Sequence, residues 1–260
     1  MLNTDSGRFT ADGYCFFPDI FGRDEVAAMQ HALEVATCAG FLDRDQYYGE
    51  PHTREVFWLE VCSHPRLHDA VETVLGPNLI LVFSSMFIKM PRDGMSVAWH
   101  QDNNYWPSVH GTDVVTVWLA LDDADVENAA MSVIPGSHQG HREMETVLSG
   151  ETEMLRKKVP VTPGMEAGAV MLEMKAGSVS MHDSYILHGS QANDSGRRRA
   201  GYTIRYCSTD TAWVDMEEHP IPVFLVRGDR GVRGERYTDL RPEKAGAFQV
   251  EPERITRPGK

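Results

Sequence analysis

Between residues 78 and 207 the chain is a succession of short apolar runs cut by glycine, proline or aspartate, and no other feature limits its fold as much. Leu79 to Met90 is the longest run. Ser96 to Asp102, Val114 to Leu121, Met131 to Ile134, Ala169 to Met174, Ser178 to His182 and Tyr202 to Cys207 follow, with Asp122-Asp123 and Pro135-Gly136 among the breaks. Runs of this length between turn formers predict strands. A mainly β fold with flanking helices is expected. A double-stranded β-helix (a cupin-like jelly roll) is the simplest way to set so many antiparallel strands around one cavity. The core spans about 78–225, after a helical start over about 1–77. In that start Phe9 to Asp12 ends a short helix, and Gly13 to Phe17 reads as a strand. A helix opens near Asp24 and runs to about Ala39, its Val26, Met29, Leu33 and Val35 roughly at helical spacing. Pro65 to Leu75 is a second helix, with proline in its first turn and Gly76 after its end. Residues 41–60 read as an irregular loop that could rim a pocket. Residues 226–260 read as a charged surface tail. A length of 260 residues suits a single domain over 1–260.

The formal net charge of −13 makes nucleic acid and anionic membrane poor partners. No apolar run reaches the length of a membrane span, and Met1 to Arg8 lacks the basic-then-apolar order of a secretory signal. The cysteines Cys15, Cys38, Cys62 and Cys207 show no Cys-x-x-Cys spacing. They read as small core residues in a reducing, cytoplasmic setting. None of these features fixes the oligomeric state.

The chemistry is carried by Trp99-His100-Gln101-Asp102-Asn103-Asn104-Tyr105-Trp106. On a strand, residues two apart face the same way, so His100 and Asp102 aim at one point and Gln101 turns from it. An imidazole and a carboxylate converging on one point can hold a divalent metal. With a second histidine they form the two-His, one-carboxylate set of non-haem Fe(II) oxygenases. Of the eleven histidines, His182 and His188 are the contenders, both near the end of a late strand. Ile186-Leu187 leads straight into His188, and Gly189 allows a tight turn beside it, which favours His188. His182 then serves packing or a hydrogen bond to a ligand. Beyond the turn Asn193-Asp194-Ser195-Gly196 lie Arg197, Arg198 and Arg199. One of them is a candidate anchor for an acidic co-substrate, because a guanidinium binds a carboxylate through two parallel hydrogen bonds. Strand parity puts Arg199, Thr203 and Arg205 on one face and Tyr202, Ile204 and Tyr206 on the other.

These stretches, with Val117-Trp118-Leu119-Ala120-Leu121-Asp122-Asp123-Ala124, Glu127 to His138 and His188-Gly189-Ser190, resemble the phytanoyl-CoA dioxygenase family of Fe(II)/2-oxoglutarate oxygenases, in its small-molecule branch. The resemblance covers about residues 79–207. It implies Fe(II), 2-oxoglutarate and O2 as cofactors, with His100, Asp102 and His188 as iron ligands. It also implies Arg199 as the anchor of the far 2-oxoglutarate carboxylate, with Arg198 as the fallback. Gln101, Trp118 and Ser190 match family positions near the co-substrate, although Gln101 would need a twisted or bulged strand to reach it. Halogenating relatives carry a small residue where this chain keeps Asp102, so hydroxylation is expected. The same site could also give desaturation, ring formation or epimerisation, and a non-catalytic cupin-like binding module is the remaining alternative. Asn103, Asn104, Tyr105, Trp106, Tyr48 and Trp213 are the candidate substrate contacts, with Tyr47 and His52 beside them. They suggest a small, partly polar substrate such as an amino acid, a phosphonate or a natural-product intermediate. The charged segment 140–160 is a candidate lid.

Overall fold

The computed structural model describes residues 6–43 and 46–242. The far end of the expected tail, 243–260, lies outside the described residues. The helical start contains α1 (Phe9–Asp12), α2 (Arg23–Cys38), α3 (Pro51–Arg54), α4 (Val56–Cys62) and α5 (Pro65–Leu75). The strands of this start are β1 (Tyr14–Phe17) and β2 (Tyr47–Gly49). The stretch 41–60 is therefore not an irregular loop. Its apolar Val56, Phe57, Trp58 and Leu59 turn into α4, and Trp58 is fully buried. α5 has the expected bounds: the His64 ring accepts from Arg66 N at 3.2 Å, Pro65 occupies the first turn, and Gly76 ends it at φ 81°.

The later strands are β3 (Leu79–Lys89), β4 (Val97–His100), β5 (Val109–His110), β6 (Val114–Ala120), β7 (Ser132–Val133), β8 (Val147–Leu148) and β9 (Lys157–Lys158). After a short helix, α6 (Pro163–Glu166), come β10 (Val170–Met171), β11 (Val179–Asp183), β12 (His188–Ser190), β13 (Arg199–Ser208), β14 (Trp213–Val214), β15 (Phe224–Arg227) and β16 (Thr238–Asp239). Among the described residues, eight strands form the larger sheet in the order β1-β11-β6-β13-β3-β15-β16, with β2 also paired to β3. A smaller sheet runs β10-β7-β12-β4. The two sheets make the jelly roll. The region expected to be a surface tail instead adds to the larger sheet, because β16 pairs in parallel with β15 and Tyr237 is buried, its hydroxyl accepting from Val214 N at 3.0 Å.

The larger sheet has two chemically distinct faces, as period-two alternation requires. Val115, Val117, Leu119, Val179, Met181, Tyr202, Ile204 and Tyr206 pack under the helices against Met29, Leu33, Trp58, Leu67 and Val71. The opposite face carries Thr116, Trp118, His182, Arg199, Thr203 and Arg205, and these line a cavity between the sheets.

The helical layer makes stability depend on pH. His68 is buried with its Nε2 at 3.1 Å from Cys62 O, and His52 is buried with its Nδ1 at 2.6 Å from Ser84 Oγ. Burial and the Arg227 charge push the His68 pKa down from 6.5 to about 4. Burial and the charges of Arg205 and His219 push that of His52 down to about 3. Between these values and the unfolded value the unfolded chain binds more protons than the folded one. Stability is therefore fully present above about 6.5 and is lost as pH falls through 4 toward 3. Calorimetric Tm should be level near neutrality and fall steadily below about pH 6.5, and His68→Gln should flatten the fall.

Candidate metal centre and co-substrate cavity

β4 ends at His100, and the chain then turns through a 3₁₀ segment, Asp102–Tyr105. His100 and Asp102 thus converge through a turn rather than by strand alternation. β12 lies antiparallel to β4 with His188 directly opposite His100. The His100 and His188 rings stand 4.0 Å apart between centroids. Gly189 permits this approach, since a Cβ there would lie 2.8 Å from Val97 O. His100 Nδ1 lies 2.8 Å from Ala98 O, and His188 Nδ1 lies 3.1 Å from Ile186 O. Each Nδ1–H donates to its carbonyl, which leaves each Nε2 as a free lone pair. The two Nε2 atoms face Asp102 Oδ1 at 3.6 and 3.7 Å. These separations are long for hydrogen bonds and suit three donors around one ion. The three donor atoms all lie within 4.8 Å of one another, and all three residues are buried.

The second oxygen of Asp102 is held separately. Thr116 Oγ1 donates to Oδ2 at 2.5 Å, His182 Nε2 stands at 3.6 Å and Arg205 Nε at 3.9 Å. Burial alone would raise the Asp102 carboxyl. The Arg205 charge and the close imidazoles of His100, His182 and His188 outweigh it and hold the group well below the usual carboxylate range. Burial, with the His100 and His182 rings close by, pushes His188 well below its ordinary value. Both shifts favour the forms that bind metal, a carboxylate and a neutral imidazole. Thr116→Val keeps the shape of the side chain but removes the 2.5 Å bond. It should weaken Fe(II) binding about 10–100-fold, read by chelator competition, with Tm little changed.

The neighbouring arginines separate cleanly. Arg197 pairs with Asp125 at 2.8 Å and Glu127 at 3.1 Å. Arg198 makes two bonds to Asp122, at 2.7 and 2.9 Å. Arg199 turns into the cavity, 2% exposed, donating from Nη1 to Ala129 O at 2.8 Å while its Nε has no partner. Its guanidinium lies 5.5 Å from the centre of the Trp118 ring. Gly201 makes room for that ring, because a Cβ there would be 2.2 Å from Trp118 Cζ2. Burial brings the Arg199 pKa down to about 10. Lys89, opposite Arg199 on β3, is also fully buried, and burial with the Arg199 charge lowers it to about 6. Lys89 Nζ donates to Ser190 O at 3.3 Å and to Gln191 O, whereas the buried, part-free Arg199 guanidinium makes this end of the cavity a receptor for an anion.

Of the residues singled out from the sequence, His100, Asp102, His188, Arg199, Trp118 and Ser190 line this one cavity. Gln101 does not. Its Nε2 donates to Tyr185 O at 2.6 Å and Arg142 O at 3.2 Å, and its Oε1 accepts from Met144 N at 2.8 Å, so it braces the chain behind the turn. Tyr105 lines the adjoining cleft together with Tyr47. Asn103 and Asn104 border a groove beside Glu143 and Lys157. Trp106 is buried, stacked on Phe83 at 5.5 Å and beneath the Arg205 guanidinium. Tyr48 is a core residue whose hydroxyl donates to Glu55. Trp213 sits on β14, stacked on His110 at 4.1 Å with Arg233 on its ring at 3.7 Å, and does not line the cavity. His52 is a buried partner of Ser84. Thr116, Lys89 and Phe87 went unnoticed in the sequence. Only strand parity on β6 and β3 could have pointed to them.

A jelly roll with two histidines and a carboxylate on facing segments, and a buried, part-free arginine at the other end of the same cavity, defines a non-haem iron, 2-oxoglutarate-dependent oxygenase. The chain belongs to the phytanoyl-CoA dioxygenase (PhyH) family, which it matches over residues 9–201. It is 29% identical over 236 residues to a probable alpha-ketoglutarate-dependent hypophosphite dioxygenase of Stutzerimonas stutzeri, covering 82% of this chain and 80% of that one. It is 27% identical over 249 residues to an ectoine dioxygenase of Sphingopyxis alaskensis, covering 85% and 81%. The fold superposes on the non-heme monooxygenase ThoJ in its apo form with a TM-score of 0.72 and 28% identity, over 92% of this chain and 88% of that one. The protein is an enzyme of this dioxygenase class, using iron, 2-oxoglutarate and O2. Among the described residues no helix is long and apolar enough to cross a membrane.

Proposed function

We propose that this enzyme hydroxylates a C–H bond of a small, partly polar organic molecule, converting 2-oxoglutarate and O2 to succinate and CO2. His100, Asp102 and His188 hold the iron, and Arg199 anchors the far carboxylate of 2-oxoglutarate. The observation that carries the reading is the pairing of two features in one cavity: three converging donors at one end, and at the other a buried guanidinium with an unpartnered Nε. Bound Fe(II) supplies O2 activation. The chain supplies position and electrostatics. Thr116, His182 and Arg205 keep Asp102 turned with Oδ1 toward the histidines. Trp118 and Arg199 form the seat of the co-substrate, with Ser190 on the facing sheet. Lys89, on β3 next to Arg199, donates from Nζ to Ser190 O and Gln191 O and so fixes the end of β12 beside the seat. Gln101 braces the metal-binding turn rather than touching the co-substrate. The cysteine usage supports a reducing, cytoplasmic compartment.

The test is succinate formation by protein purified without oxygen, loaded with Fe(II) and exposed to O2, with and without candidate substrates. Succinate that rises with substrate, and a product heavier by one oxygen, is the expected result. A product lighter by two hydrogens, or of unchanged mass, would replace hydroxylation by desaturation or epimerisation. Absence of both succinate and bound iron would overturn the reading.

A further inference from the structure

Beside this cavity lies a cleft of about 840 Å³, and the inference drawn from it rests on the iron and 2-oxoglutarate reading above. Phe87 lines both spaces. The Tyr47 ring meets Phe87 edge-on with centroids 5.2 Å apart. Tyr105 stands edge-on to the His100 ring at 6.0 Å, its hydroxyl donating to Lys157 O at 2.7 Å. Phe87 and Tyr105 thus flank the way from the cleft to the metal. The outer wall comes from the hairpin of β8 and β9, which contributes Leu148, Met154 and Leu155. This wall is pinned to β4, with Met154 N donating to Ser96 O at 2.9 Å and Val159 N to Trp99 O at 2.8 Å. Leu148 is nevertheless 83% exposed, a large aliphatic group left in water at the edge of a concave site. Such a group gains when a ligand with an apolar face covers it.

The charged groups of the cleft set the sign. Asp43, Glu151 and Glu153 face it against Arg156, and Lys158 pairs with Glu153 at 3.0 Å. Glu143 and Glu145 border the next groove. With a net charge of −13 on the whole chain, the field at this entrance opposes an anion.

We propose that the substrate, partly polar at its reacting end, presents an apolar face larger than an amino-acid side chain and is neutral or cationic overall. It passes the reacting carbon between Phe87 and Tyr105 and rests its bulk on Leu148, Met154 and Leu155. Clefts of about 300–1,000 Å³ hold drug-sized molecules, so a substrate as small as an amino acid would leave most of this one unfilled.

Four probes test the class on the Fe(II)- and 2-oxoglutarate-loaded protein without oxygen: 1-naphthylmethanol, 1-naphthylmethylamine, 1-naphthoic acid and ectoine. Titration calorimetry should find the alcohol and the amine binding at least about tenfold more tightly than the acid and ectoine. Leu148→Asp should cost the alcohol about tenfold. Tighter binding of ectoine or of the acid, or no effect of Leu148→Asp on the alcohol, overturns the proposal. Binding of 2-oxoglutarate itself, titrated first, separates the two levels. If 2-oxoglutarate binds and the probe order is wrong, only the substrate class falls. If 2-oxoglutarate does not bind, the function and the substrate class fall together.

Discussion

Asp102→Ala should abolish iron retention and reduce succinate formation by more than about 100-fold, because it removes the one anionic donor of the set. The effect has two parts. The two imidazoles alone make a weak site, and the groups that held Oδ2 lose their partner. Arg205 is buried, with its Nη1 on Ser85 and Thr203 at 2.6 Å each and its Nε facing Asp102. A buried cation stripped of its counter-charge costs about 3–5 kcal/mol, so Tm should fall as well. Asp102→Asn keeps the volume and a hydrogen-bond acceptor, and separates the two parts. Tm should recover toward wild type while iron binding does not. Iron content by atomic absorption and succinate by chromatography check both variants. Iron retained at wild-type stoichiometry by Asp102→Ala would remove Asp102 from the metal centre.

Arg199→Met should raise the 2-oxoglutarate KM by about 10–100-fold, the loss of one charge-assisted pair at about 1.5–3 kcal/mol. Methionine fills much of the space beside Trp118, so the change should appear mainly in KM rather than in kcat. Arg199→Lys should restore little, since an ammonium cannot reproduce a fork of two parallel donors. The same substitution at Arg197 or Arg198 should leave the KM within about twofold, because those guanidiniums are already committed to Asp125, Glu127 and Asp122. Equal effects at all three positions would mean that the cluster acts as a diffuse charge, not through one seated residue.

The larger sheet was legible because its strands are long and amphipathic in the chemical sense. β13 alternates Tyr202, Ile204 and Tyr206 toward the helices with Thr203 and Arg205 toward the cavity, and parity alone sorts them. Parity could not choose among the three arginines, because Asp122, Asp125 and Glu127 lie seventy or more residues earlier. It also mistook the route by which Asp102 arrives. Asn103 and Asn104 favour a turn, and the strand ends at His100. Gln101 matched a co-substrate position in pattern, but in space its amide is spent on Tyr185, Arg142 and Met144. Aromatic residues were the least legible. Tyr48, Trp106 and Trp213 are as apolar as Tyr47, Phe87 and Tyr105, and only tertiary placement says which of them meet the cleft. The stretch 41–60 misled through its charges, of which Arg54 is exposed on α3 while Glu60 is buried on α4 with Trp58.

The pairing of β1 with β11, Tyr14 opposite His182, has a consequence for how the protein is made. β1 emerges early from the ribosome and has no partner until residue 183 has followed. β3 can meet β2 but waits for its longest partner, β13, and β6 waits for β11 and β13. At about 5–20 residues per second that interval is on the order of ten seconds, during which apolar strand edges stand open. The helices up to Leu75 close on local contacts and can form first. In the finished sheet β11 lies between β1 and β6, and the metal donors can meet only once His188 has been made. Synthesis of this chain therefore carries a long window of aggregation risk, and the centre that gives it activity is among the last features to assemble.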